Sequence, residues 1–563
     1  MMPSSSSLKA KTKIAMLSLS LLAIFALLAT ACGGGPTTQQ GKQPRNTVVS
    51  IPSTGPFTEN FNPWAPNNRP GTRGMIYETL LYMNSLQGGE VTPWLASGYQ
   101  FSSDATTLTF QLRQHVQWSD GQAFSSADVV FTLNMLKQYP ATDLNALWKY
   151  LKTVSAPDAN TIVVTLNKPY SPILWYLGGQ SWIIPQHIWS SIGNPTKYTN
   201  PHPVGTGPFT LKTWNSQIVD LVKNPNFWQP GKPEVTEIHY LAVNSNTSSE
   251  LLLEQGKVDW SGQFLPDVQK SFVSRDPAHN HYWFPPVSTN LLYLNLTKYP
   301  FNILAVRQAI SLAIDRQQMN TAGESGYEPA AHPSGLVLPA QQQYLAPQYA
   351  QASFTIDTNK AMQLLESAGF TKGSDGFYAD KNGKQLAFNM NVVTGFTDWV
   401  TDLQIMSSNL KAVGINASVN ALSFNAYYNA MQSGSFDTAI SWANTGPTPF
   451  FFFDGVLNSK NSAPIGKNAN SNWERWNDPT TDSLLEQYAS TTDPNAQAQA
   501  LYGIQKIMTE QLPSIPLNLG ASWGEFSTLR FTGWPDEHNP YAAPQKDRTP
   551  DNEIIILHLH PVG

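Results

Sequence analysis

Cysteine is nearly missing: Cys32 is the only one in 563 residues. A lone thiol excludes an intramolecular disulfide and any zinc site built on paired cysteines. Charge is scarce too, with Asp, Glu, Lys and Arg making up 13% of the chain, against about 25% in an ordinary soluble protein. Lys and Arg number 34 against 39 acids, for a net charge of −5 and no basic block, which removes the electrostatic footprint that nucleic-acid partners need. In place of charge stand Asn, Gln, Ser, Thr and Pro, together with 17 Trp, 21 Tyr and 26 Phe. Hydrophobic residues reach 41%, enough for a sizeable core, and the length predicts roughly two to four domains.

The chain opens with Lys9, Lys11 and Lys13, then the uncharged run Ile14–Ala31, then Cys32 and three glycines. This is the three-part plan of an export signal. Its apolar part of 18 residues sits at the lower edge of what spans a bilayer, so a retained anchor is the alternative. Leu28-Ala29-Thr30-Ala31-Cys32 resembles a bacterial lipobox, with Ala29 where Leu is usual. That resemblance implies removal of residues 1–31, lipid on Cys32, and attachment to the outer face of the cytoplasmic membrane. Residues 32–46, rich in Gly, Pro, Thr and Gln, read as a flexible tether.

Strand and helix signals then alternate, which predicts an α/β architecture. Leu108, Phe110 and Leu112, and again Ile162, Val164 and Leu166, occupy every second position, as in half-buried strands. Ser125 or Ser126 caps a helix carrying Val129, Val130, Leu133 and Leu136. Further helices are expected over 305–319, 360–368, 401–413 and from Pro494 to Gln511, with Gly369 and Gly414 as left-handed caps and Asp493 at a helix start. Asn382-Gly383 reads as a hairpin turn between GFYAD and QLAFNM. No internal repeat is visible.

The block from Trp94 to Leu133, followed by PVGTGPFTL, KNPNFW, PFNILAVRQAISLAIDR from Pro300 and QLPSIPL from Gln511, resembles the family 5 solute-binding proteins of ABC importers. Oligopeptide, dipeptide, nickel and cellobiose binders make up that family. The resemblance implies two lobes of periplasmic-binding-protein type that close by a hinge, with a subdomain inserted in the first. Lobe I is expected at 47–80, 200–292 and 515–563, the inserted subdomain at 81–199, and lobe II at 293–514. It also implies a monomer that hands its ligand to membrane permease subunits, with no cofactor, no metal and no chemistry of its own.

In the family's peptide binders an acid soon after a Trp receives the peptide amino terminus. The matching segment here, SWANTGPTPFFFFDG, has no carboxylate between Asp437 and Asp454, and an unpartnered buried ammonium is costly. Asn444 and Thr445 offer neutral hydrogen bonds instead, beside Trp442, Phe450 and Phe451. The segment Ser522–Pro544 looks more like the family's cellobiose and β-oligosaccharide binders. Sugars present hydroxyls and a weakly polar CH face, which suit neutral donors and flat rings. Asn62, Trp64, Trp399 and Trp523 are further candidates for the cleft. A neutral oligosaccharide is therefore the expected ligand, with an oligopeptide as the alternative.

Two other chemistries have partial signals. Gly520-Ala521-Ser522-Trp523-Gly524 fits a hydrolase nucleophile pattern, with Asp536 and His538 following, but EFSTLRFTGWP is a poor helix where such a site needs one. His279 with His281, and His558 with His560, are each spaced to share a strand face. Two nitrogens are too few to close a metal site, and family precedent alone supports nickel or haem.

Overall fold

The computed structural model describes residues 46–51, 56–243 and 246–562. The export segment, Cys32 and nearly all of the tether lie outside the described residues. Three sheets organise the rest. A seven-stranded sheet runs in the order Asn280–Tyr282, Glu525–Ser527, Trp260–Ser261, Thr47–Ser50, Glu237–Leu241, Ile218–Lys223, Phe209–Trp214. A five-stranded sheet runs Asn416–Leu422, Ala387–Val393, Thr438–Trp442, Pro286–Leu294, Ser514–Ala521. The expected strands with Leu108 and Ile162 belong to a third, four-stranded antiparallel sheet formed within 96–166. With helices packed on the sheets, this is the two-lobe periplasmic-binding-protein fold.

Two strands span the expected lobe limits at 292 and 515. Strands Pro286–Leu294 and Ser514–Ala521 pair antiparallel, with Leu292 opposite Ile515. Limits at 292 and 515 would cut through both, so each strand goes whole to the five-stranded sheet. The first is buried from Thr289 onward and the second along nearly its full length.

Local signals were honoured where caps decide them. Ser125 accepts from the Ala127 amide, and Asp128 reaches back to the Ser125 amide, a reciprocal box. Gly369 and Gly414 take φ of +86° and +81° just past their helices, and Asp493 caps Pro494–Gln511. The expected helix over 305–319 instead breaks after Ala313, because the Asp315 carboxylate accepts from the Gln318 amide and starts a new turn. Buried Arg316 then ties the break to the Ser311 and Pro516 carbonyls. The helix expected from 401 starts earlier, at Thr397, and so carries Trp399 in its first turn instead of before it. At Asn382-Gly383 the turn is present, with Asp380 accepting from the Asn382 and Lys384 amides. The strand after it, Ala387–Val393, leaves to pair with 416–422 in the five-stranded sheet, so the hairpin stops at a single bridge between Ala379 and Gln385.

Candidate functional site

The strand Thr438–Trp442 is buried on both faces until its last residue, where Trp442 emerges 37% exposed. Asn290 lies directly opposite it on the neighbouring strand. Beside them, helix Thr397–Ala412 brings Trp399 to a ring distance of 5.4 Å from Trp442, and Phe396 packs edge-on to Trp399 at 5.6 Å. Loops next to strands of the seven-stranded sheet bring a second group of rings. Trp523, just before Glu525–Ser527, meets Phe264 at 5.5 Å and Phe284 at 4.8 Å.

These two aromatic groups line one cavity of about 470 Å³, with Ser288, Asn290, Thr445, Gln263 and Gln545 as neutral polar groups. Gly520 also lines it, where a Cβ would come within 2.3 Å of Ser288 Oγ. The cavity continues, through Thr445 and Arg548, into a second of about 330 Å³ lined by Asn444, Phe451 and Tyr176. Phe451, Trp175 and Met83 lead on to a third of about 350 Å³, whose walls include Tyr99 and Phe101 of the four-stranded sheet. Sharing these lining residues in turn, the three form a ring-lined cleft walled by the five- and four-stranded sheets and by the loops that carry Phe264 and Trp523, of the size and apolar lining usual for ligand sites.

Trp442, Trp399, Trp523, Asn444, Thr445 and Phe451 thus converge on this cleft. Asn444 packs against the helix Pro449–Leu457 at Gly455, where a Cβ would meet its side chain at 2.4 Å. Three candidates fall elsewhere. Trp64 is 2% exposed and core-packed. Asn62 is spent on structure, accepting from the Trp64 amide and donating to the Pro195 and Tyr198 carbonyls. Phe450 turns away to stack on Tyr488 at 4.7 Å and lines a separate cavity. The flanking acids are also engaged: Asp437 pairs with Lys298 at 2.9 Å, and Asp454 accepts from Asn458 and Asn461.

Sequence reasoning missed the charges of the cleft. Glu328 lines it, and its two oxygens accept from the Ala521 amide and the Asn290 amide group at 2.8 and 2.7 Å. Burial pushes Glu328 up to about 8. Asp398 lines the cleft too, and behind it Asp402 is pushed up to about 7, by burial first. Glu324, fully buried and repelled by Glu328, Asp402 and Asp398, is held neutral. Burial is the first cause in all four and favours the protonated form of each. Arg548 lines the same cavity and is positioned by Ser85 Oγ at 3.0 Å and by Asp551. Nothing in the local sequence around these residues distinguishes them from surface charge.

The other chemistries lose their geometry. Ser522 is fully buried and its hydroxyl accepts from the Gln545 amide, no helix follows it, and His538 is 87% exposed. The stretch read as a strand before His558 is a buried helix, Asp551–His558. His558 stacks on Tyr541 at 4.2 Å, while His560 turns to Glu234 at 2.9 Å. His279 binds Asp276 just before the strand that carries His281. Among the described residues no group of three His, Cys, Asp or Glu is arranged to hold a metal, and no helix is long and apolar enough to cross a membrane.

The profile of the bacterial extracellular solute-binding proteins, family 5 middle, matches residues 90–464. The chain belongs to this family. It is a solute-binding protein of an ABC importer, and such proteins are extracytoplasmic transport binders, not enzymes. This family 5 protein is 26% identical over 440 residues to the glutathione-binding protein GsiB of Shigella flexneri, covering 75% of this chain and 79% of that one. Its fold is similar to a periplasmic oligopeptide-binding protein of Thermotoga maritima, with a TM-score of 0.86 and 26% identity over 92% of this chain and 100% of that one. The mannohexaose-bound structure of that Thermotoga protein gives a TM-score of 0.80 at 26% identity, over 92% and 99% of the two chains.

Proposed function

We propose that this binding protein captures an oligosaccharide, of the β-linked gluco-oligosaccharide type, and delivers it to its permease. The observation that carries the reading is the convergence of Trp442, Trp399 and Trp523 on a cavity whose neutral lining includes Ser288, Asn290, Thr445, Gln263 and Gln545. Flat rings offer platforms to the CH faces of sugars, and the amides and hydroxyls match their hydroxyl groups. Glu328 and Asp398, when ionised, would accept from sugar hydroxyls beside the rings. The mannohexaose held by the Thermotoga relative supports the same class. The lobes, with their limits moved to keep 286–294 and 514–521 in the second, would close on the ligand as a monomer anchored through lipid on Cys32.

A peptide ligand is the second reading, favoured by one observation. Glu328 and Asp398 share a cavity with Arg548, a pairing that suits the ammonium and carboxylate of a zwitterion. The names of the glutathione- and oligopeptide-binding relatives agree with it. A thermal-shift screen of cello-, xylo-, manno- and chito-oligosaccharides beside di- to pentapeptides separates the two. A ligand at a hundredfold excess over its Kd stabilises by about 2.7 kcal/mol. A sugar-induced shift that is lost in Trp442→Ala is expected; a shift with peptides and none with sugars would move the assignment to the second reading.

A further inference from the structure

The rings of the cleft do not end at its mouth. Helix Phe424–Ser433 places Phe424 and Tyr428 one turn apart on the same face, with ring centroids 4.9 Å apart. Tyr428 reaches Trp442 at 6.5 Å, and Trp442 reaches Trp399 at 5.4 Å. The four rings form one file from the cavity to the outer surface. Its outer end is open, for Phe424 is 49% exposed, which leaves about half of a large apolar side chain in water.

The segment that carries the two outer rings is uncharged. From Ala412 to Phe436 the sequence contains no Asp, Glu, Lys, Arg or His, a composition unlike the charged outer face of an ordinary surface helix. Polar groups there are neutral. Ser423, Asn425 and Thr394 are exposed, and Thr394 donates its amide to the Leu422 carbonyl, which joins the two loops at the rim.

Resting on the oligosaccharide reading, we infer that Phe424 and Tyr428 are an outer subsite, occupied by the distal units of a sugar chain whose inner units sit at Trp442 and Trp399. The occupant is identified by three properties of the file: continuity with the cavity rings, the stepwise spacing of those rings, and a neutral hydroxyl- and amide-bearing rim. A chain of linked sugar rings presents apolar faces at regular intervals and carries no charge. The protein would therefore favour longer oligomers, each added unit meeting another ring.

Calorimetric titration of the full chain with β-gluco-oligosaccharides from disaccharide to hexasaccharide tests this. Affinity should rise with length in the wild type. Phe424→Ala should weaken the hexasaccharide by about three- to tenfold, the worth of one aromatic contact, and leave the disaccharide unchanged. Phe424→Trp should restore length dependence, and unchanged melting temperatures of both variants would show that the fold is intact. Binding of every length with no length-selective loss in Phe424→Ala would overturn the outer subsite and leave the oligosaccharide reading standing. Absence of binding by the wild type at every length would overturn both. Length-independent binding with reduced transport in Phe424→Ala would assign the exposed ring to contact with the permease instead.

Discussion

At the scale of single residues, the cleft sets buried carboxylates against a neutral, aromatic wall. Glu328 has a folded value near 8, above the ordinary value of about 4.3. A carboxyl raised in this way holds its proton in the folded state and loses it on unfolding. Its stabilising contribution is complete below about pH 4 and declines as pH rises through 8. Glu328→Gln should therefore flatten the fall in unfolding free energy between about pH 5 and 8, by an amount of the order of a few kcal/mol at the alkaline end. An unchanged slope in a pH series of thermal unfolding would place the protons on Glu324 and Asp402 alone. The same proton affects binding. Hydroxyl donors favour the ionised carboxylate, so affinity for a sugar should climb over that pH range, and calorimetry at the two ends measures it. Asn62 and Trp64 teach the opposite lesson: an Asn two residues before a Trp looks like a site, yet its carbonyl oxygen accepts from the Trp64 amide and closes a core turn.

At the scale of elements, the helix Pro449–Leu457 decides where Asn444 can stand. Four phenylalanines drive it into the core, and the absence of a side chain at Gly455 lets the Asn444 side chain lie against it. Two effects compete in Gly455→Ala. Helix propensity favours alanine by about 1 kcal/mol, but the new methyl would sit 2.7 Å from Asn444 Cβ, which cannot move without its backbone. The clash should win. The variant is expected to melt lower than the wild type and to bind its ligand more weakly, both read from one thermal-shift titration with and without ligand. A stabilised variant with unchanged affinity would show that the segment after Trp442 yields freely. Element boundaries were legible in the sequence wherever a cap fixes them, as at Ser125, Asp493, Gly369 and Gly414. They were not legible at Ala313, where Arg316 and Asp315 break a periodic helix through contacts with carbonyls 200 residues away and an amide three residues on.

At the scale of the whole molecule, two sheets and the loops beside the third contribute walls to one cleft, and a ligand bound there would bridge them. A ligand that raises the melting temperature should also draw the lobes together, so small-angle scattering should record a smaller radius of gyration on saturation. Tight binding with an unchanged radius would mean that the unliganded protein already rests closed. The amino-acid sequence by itself determined the family and the alternation of strands and helices, and it singled out Trp442, Asn444 and Thr445 as candidates. These rest on blocks in a fixed order, on short-range periodicity, and on caps that act within one turn. Tertiary structure alone decided that Trp399 and Trp523 face one cavity, that Phe450 leaves it while Phe451 stays, and that Glu328, Asp398 and Arg548 share it. The reason is distance along the chain. Asn290, Glu328, Trp399, Trp442, Trp523 and Arg548 come from segments far apart in sequence; pairing of strands 286–294, 438–442 and 514–521 sets Asn290 opposite Trp442, and a helix and loops packed around that sheet bring the others to the same cavity.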